Sequence, residues 1–139
     1  MEVLNAVTQQ QIGFQSQFNC KVKEHLTKFV IHRFANKCVV LVTQYGGLPN
    51  LYTVQFDAND ELEKRISPLN MSELHTSVPV TMKCLLGVDK VEVRAGIQFL
   101  INRTKLSQCK TEILITLGLR ETDGDVLKEI AGILDKQAL

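Results

Sequence analysis

No apolar run in these 139 residues approaches the roughly 20 that cross a bilayer, so a membrane-spanning helix is not expected. Charge of one sign is also missing. Sixteen Lys and Arg against fifteen Asp and Glu leave a formal net charge of +1. That balance favours neither nucleic acid nor an anionic membrane as a partner. There is no C-x-x-C pair: Cys20, Cys38, Cys84 and Cys109 lie far apart. In a reducing compartment they read as small buried hydrophobes. The first residues lack a basic stretch followed by an apolar core, so no secretory signal is expected. The expected location is the cytoplasm, with the nucleus as a second compartment. The sequons Asn70-Met-Ser72 and Asn102-Arg-Thr104 then carry no meaning. Internal repeats and low-complexity tracts are absent too.

What is present is an ordinary globular composition, 45% hydrophobic and 22% charged. The chain is long enough for one domain with a normal core, expected over 14–139 after a flexible N-terminus of 1–13. Its organising stretch is Lys37 to Gly47. Five apolar residues run from Cys38 to Val42, three of them valines, and Gly46-Gly47 closes the run. β-Branched side chains fit a pleated surface, and the run is too short for a buried helix. It predicts a strand in the middle of a sheet, paired with the strands before it and followed by a return strand.

Phe14, Ser16, Phe18, Cys20 and Val22 alternate with polar residues, the period of a half-buried strand. Lys23-Glu24 reads as a two-residue turn, and Leu26 to Phe34 as the next strand. Ala35-Asn36 turns into the organising strand, and Leu51 to Phe56 returns after Gly46–Asn50. Residues 57–79 show weak pattern and form a long, mobile connection, with room for one helical turn over Asp60 to Ile66. Val80 to Leu86 is a fifth strand. Asp89 and Glu92 read as a capping box for a helix reaching about Leu106, with Val93, Ile97, Leu100, Ile101 and Thr104 on its apolar side. Arg94, Gln98, Asn102 and Lys105 fill the other side. Thr111 to Leu119 is a sixth strand. A last helix starts at Thr122-Asp123-Gly124-Asp125 and carries Val126, Leu127, Ile130, Ile133 and Leu134. The fold class is α+β: an antiparallel sheet of about six strands, in the order β-β-β-β-β-α-β-α, with two helices packed on it.

No constellation carries catalysis. His25, His32 and His75 lack zinc-ligand spacing, so no metal and no cofactor is expected. Cys38 and Cys84 lie in apolar runs, the opposite of a nucleophile's setting, which leaves a thiol enzyme as a poor rival. Gly46-Gly47 precedes a strand and lacks the Lys-Ser/Thr of a phosphate loop. Gly87-x-Asp89 before a helix fits a capped turn better than an anion site. Lys21, Lys23, Lys28, Arg33 and Lys37 make the first hairpin basic, which reads as a solvated face. From residues alone the reading is a non-enzymatic interaction module.

Two strings go further. Val40-Leu41-Val42-Thr43-Gln44-Tyr45-Gly46 and Thr81-Met82-Lys83-Cys84-Leu85-Leu86-Gly87-Val88-Asp89 resemble the proteasome assembly chaperone 3 family, in order and with the right elements between them. The resemblance runs from about Phe14 to the C-terminus. It implies a chaperone for the 20S proteasome core particle that is not an enzyme. Such a protein forms homodimers or pairs with proteasome assembly chaperone 4. It binds α-type subunits during α-ring formation and leaves before the half-proteasome is complete. Val40–Val42, Leu85 and Leu86 are expected in the core. Gln44, Tyr45 and Leu48, at the strand exit, are the expected exposed partner-binding residues. The dimer contact is expected on a sheet face or edge plus a helix. A dimeric trafficking scaffold of the longin or roadblock type is the alternative, although such modules place a helix among the early strands.

Overall fold

The computed structural model describes residues 16–57, 77–109 and 111–137. The expectations for the N-terminus 1–13, Phe14, the interior of the 57–79 connection with its helical turn, and the tail Ala138-Leu139 lie outside the described residues.

The elements follow the expected order. They are β1 (Ser16–Val22), β2 (His25–Arg33), β3 (Lys37–Thr43), β4 (Leu51–Phe56), β5 (Val80–Leu86), α1 (Val91–Arg103), β6 (Glu112–Gly118) and α2 (Gly124–Asp135). The first helix ends before Leu106. Thr104 stops it, its hydroxyl donating to the Leu100 carbonyl and accepting from the Leu106 amide, and a short 3-10 turn over Lys105–Gln108 follows. The β1–β2 turn is the expected Lys23-Glu24, and both residues hold positive φ, 51° and 70°. A two-residue hairpin turn of type I′ needs that conformation, which Asn or Gly would adopt with less strain. The start of α2 also falls as read, with the Asp123 carboxylate accepting from the Val126 amide.

Two pairings differ from the sequence reading. The strand order is β1-β2-β3-β6-β4-β5, so β6 lies between β3 and β4. The strand after β3 is therefore not its return partner. The β3–β6 pair is parallel, with Val40 opposite Ile115, while the other four pairs are antiparallel. The physical reason is burial. β6 carries Ile113, Ile115 and Leu117, all essentially fully buried, and such a strand is worth most at the centre of a sheet. Each of those side chains contributes about 2 kcal/mol when removed from water.

Both helices pack on one face. Phe29, Ile31, Cys38, Val40, Val42, Tyr52, Val54, Ile113, Ile115 and Leu117 point into a core closed by Val93, Ile97, Leu100 and Ile101 of α1 and Val126, Leu127, Ile130 and Leu134 of α2. Gly96 of α1 is where the helix sits closest to the sheet: a Cβ there would lie 2.8 Å from Leu117 Cδ2. The polar side of α1 is not simply solvated. Arg94 donates to the Met82 carbonyl, Gln98 to the Val78 carbonyl, and Asn102 accepts from the Val78 amide. These bonds tie the helix to the outermost strand β5 and to Val78, two residues ahead of it.

Candidate interaction surface

Alternation along the strands sends the other half of their side chains to the opposite sheet face. No described helix lies there. Val39 and Leu41 of β3 and Leu114 of β6 are half-buried on this open face, while Leu26, at the top of β2, and Phe34, just past its end, are exposed. A hollow of about 610 Å³ runs over β1, β2 and β3 to the β3–β4 loop, lined among others by Leu26, Lys28, Val30, Leu41, Tyr45 and Leu48.

The β3–β4 loop carries the three residues singled out from the sequence, and they divide. Gln44 is 8% exposed. Its Nε2 donates to Thr27 Oγ1 at 3.1 Å, its Oε1 accepts from the Arg120 amide at 2.8 Å, and its own amide donates to the Gly118 carbonyl. The expectation that Gln44 is exposed is thus corrected. It sits one residue past a strand whose neighbours give its side-chain amide two hydrogen-bond partners, and a buried amide requires such partners. Tyr45 and Leu48 are exposed, at 44% and 46%. The Arg120 guanidinium stacks 4.9 Å from the Tyr45 ring centre. Thr43 braces the loop by donating to the Gly47 carbonyl and accepting from the Tyr45 amide. At its far end Asn50, which the sequence reading passed over, is buried. Its side chain exchanges two hydrogen bonds with the Leu117 backbone, and its carbonyl accepts from Thr116 Oγ1. An Asn at a Pro-Asn loop end was the available signal. The loop is therefore a fixed platform.

Beside it stands the β5–α1 turn. Gly87 holds φ +84°, and a Cβ there would meet the Pro49 carbonyl oxygen at 2.2 Å. Asp89 does not cap α1 as the sequence suggested. The residue at the cap is Lys90, which offers no side-chain bond. Asp89 instead takes a bidentate salt bridge from Arg94, with both N–O distances 2.7 Å, and a hydrogen bond from the Tyr52 hydroxyl at 3.0 Å. The Arg94 bond holds the Asp89 carboxyl below its ordinary pKa, and burial is the main cause that raises the Tyr52 phenol. The geometry favours this arrangement because the bidentate pair gives the carboxylate two charge-assisted bonds where a cap would give it one. Leu85 and Leu86, expected in the core, are half exposed. They occupy the end of an edge strand where neither helix reaches. With Val88 and Val91, also exposed, they extend the apolar surface around a small cavity of about 180 Å³ floored by Leu117 and Leu119.

Of the cysteines, Cys38 and Cys109 are buried and Cys20 and Cys84 half-buried. Burial, with Cys109 adding to it, pushes the Cys38 thiol up to about 11. Cys84 departs from the expectation of burial; its Sγ donates to the Leu86 carbonyl at the end of its own strand. Among the described residues no group of three His, Cys, Asp or Glu side chains is arranged to hold a metal, and no helix is long and apolar enough to cross a membrane.

The described residues thus form a sheet with one face covered by two helices and a second face, carrying half-buried Val39, Leu41 and Leu114, on which no described helix lies. Among solved structures it is similar to a chain from a chaperone complex for yeast 20S proteasome assembly, with a TM-score of 0.59 over 84% of this chain and 92% of that one; at 14% identity the likeness speaks for the fold. No curated protein matches the chain. The family model of proteasome assembly chaperone 3 matches residues 40–137, and the chain belongs to that family of proteasome assembly chaperones. Among the described residues five strands precede the first helix, whereas a trafficking scaffold of the longin or roadblock type would place a helix among the early strands.

Proposed function

We propose that the protein is a non-enzymatic chaperone of 20S proteasome assembly that acts as a dimer, with proteasome assembly chaperone 4 or with a second copy of itself. In this reading the dimer binds α-type subunits while the α-ring forms and is released before the half-proteasome is complete. The observation that carries it is the sheet face on which no described helix lies, with half-buried Val39, Leu41 and Leu114 and with exposed Tyr45 and Leu48 beside it, in a chain of this family. Unassembled α-subunits must be held by a contact specific enough to order them and weak enough to be displaced. A moderate interface with a few anchors and a polar rim meets both needs, and no catalytic group is required. Tyr45, an apolar ring with a polar tip, and Leu48 are the proposed anchors.

The test is native mass spectrometry of the purified chain, alone and mixed with chaperone 4 and with single α-subunits. The expected result is a heterodimer that retains one α-subunit. Free monomers throughout, with no subunit captured, would overturn the proposal.

A further inference from the structure

All four cysteines are free, and two of them meet. Cys38 lies at the start of β3, and Cys109 follows the 3-10 turn that leads toward β6, the parallel neighbour of β3. Both belong to the buried core, at 0% and 7% exposure, and their thiols lie within hydrogen-bond reach of each other. Cys109 Sγ is also held 3.3 Å from Thr111 Oγ1. Arg33 stands directly opposite Cys38 in the β2–β3 register, on the same sheet face, and its guanidinium reaches the Cys38 thiol. A positive charge beside a thiol favours the thiolate as it forms. Cys20 and Cys84 lack such a partner in each other: they lie on β1 and β5, the opposite margins of the sheet, about 24 Å apart at the usual strand spacing.

We propose that Cys38 and Cys109 are a dithiol site for hydrogen peroxide, which closes them into an intramolecular disulfide beneath the helices. Cys109 reacts first. Burial holds Cys38 protonated in the resting fold, its thiol up at about 11, whereas Cys109 keeps a little exposure. The Cys109 sulfur attacks one peroxide oxygen. An S–O bond forms, the O–O bond breaks, and the departing hydroxide leaves as water with the thiol proton, so that Cys109 becomes a sulfenic acid. The Cys38 sulfur, beside Arg33, then attacks the Cys109 sulfur. The S–S bond forms, the S–O bond breaks, and hydroxide leaves with the Cys38 proton as a second water. Two thiols have then given two electrons to one peroxide, which ends as two waters. The new bond closes a loop that contains β4, β5 and α1. A cross-link over so long a loop stabilises the fold by restricting the unfolded chain.

Peptide mapping of the full chain is the test. The reduced protein is treated with hydrogen peroxide, quenched with acid, unfolded in the presence of an alkylating agent and digested. The expected result is a peptide pair linked through Cys38 and Cys109, with a melting temperature at least roughly 5 °C above that of the reduced protein, both reversed by dithiothreitol. Cys20→Ser/Cys84→Ser should keep both effects, and Cys109→Ser and Cys109→Ala should each lose both. Should the Cys109 variants misfold, the wild-type map and melt decide the matter. Recovery of Cys38 and Cys109 as thiols after Cys84 has been oxidised, a bond from either to another cysteine, or the linked pair with no rise in melting temperature would overturn the proposal. None of these readouts involves chaperone 4 or α-type subunits, so the chaperone reading stands or falls separately.

Discussion

Single residues at the β3–β4 loop have opposite duties. Gln44 links β2, β3 and the segment after β6, so Gln44→Ala should cost about 1–3 kcal/mol, since it leaves the Thr27 hydroxyl and the Arg120 amide without their partner. A urea titration checks it. Tyr45→Ala combined with Leu48→Asp should leave the urea midpoint nearly unchanged and weaken binding to chaperone 4 and α-subunits; unchanged affinity for both would remove these residues from the interface. Asp89 gives a pH signature. Its folded pKa lies below its unfolded value, so the stability it adds is complete above the ordinary carboxylate range and fades as pH falls through the folded pKa. The melting temperature of wild type should exceed that of Asp89→Asn at neutral pH, and the gap should shrink under acid. Cys38, buried and raised to about 11, should resist alkylation of the native protein at neutral pH, while half-buried Cys84 labels first. The sequence could not reveal Gln44's burial. Its partners sit 17 and 76 residues away, and a polar residue beside a loop glycine looks exposed from local pattern alone.

Elements were far more legible. The apolar spacing of α1 and α2 named most of their buried faces, because a 3.6-residue period is a local property; it missed the small residues Gly96 and Ala131, and Ile133 is only half-buried. The β3 strand was equally plain from its valine run. The misjudged points are those that depend on what lies alongside. Leu85 and Leu86 look like core by hydrophobicity, yet they end an edge strand. The polar side of α1, whose spacing says nothing of its partners, bonds β5 and its lead-in. The β1–β2 turn offers an element-scale test. Lys23 and Glu24 both hold left-handed backbone, which costs roughly 1–2 kcal/mol per non-glycine residue. Replacing them with Asn-Gly should therefore raise stability by about 1 kcal/mol, read as a higher melting temperature. Gly87→Ala should act the other way, by more than about 1 kcal/mol, because the new methyl meets the Pro49 carbonyl and the backbone stays at positive φ.

At the scale of the whole molecule, the insertion of β6 between β3 and β4 was invisible to local reading. Strand order is a long-range property, and the return strand is only the commonest neighbour, not the required one. That insertion joins the two halves of the chain. Val40 and Ile115 pair across 75 positions of sequence at the centre of the sheet, and neither half can complete its core alone. Ile115→Ala should cost about 2–5 kcal/mol and lower the unfolding midpoint reported by strands and helices alike. Two separate transitions would show that the halves fold independently.

The outer strands of the sheet end differently, and the difference limits what the molecule can build. On the β5 side, Arg94, Gln98 and Asn102 occupy backbone groups of the strand and its lead-in. On the β1 side, the described chain offers only the Ser16–Gln137 side-chain bond. A sheet open at both margins can polymerise, since each copy accepts one neighbour and offers itself to the next. A margin whose backbone groups are partly occupied is a poorer template for a further strand than an open one. Edge-to-edge growth is thereby disfavoured on the β5 side, where the Met82 carbonyl is already taken.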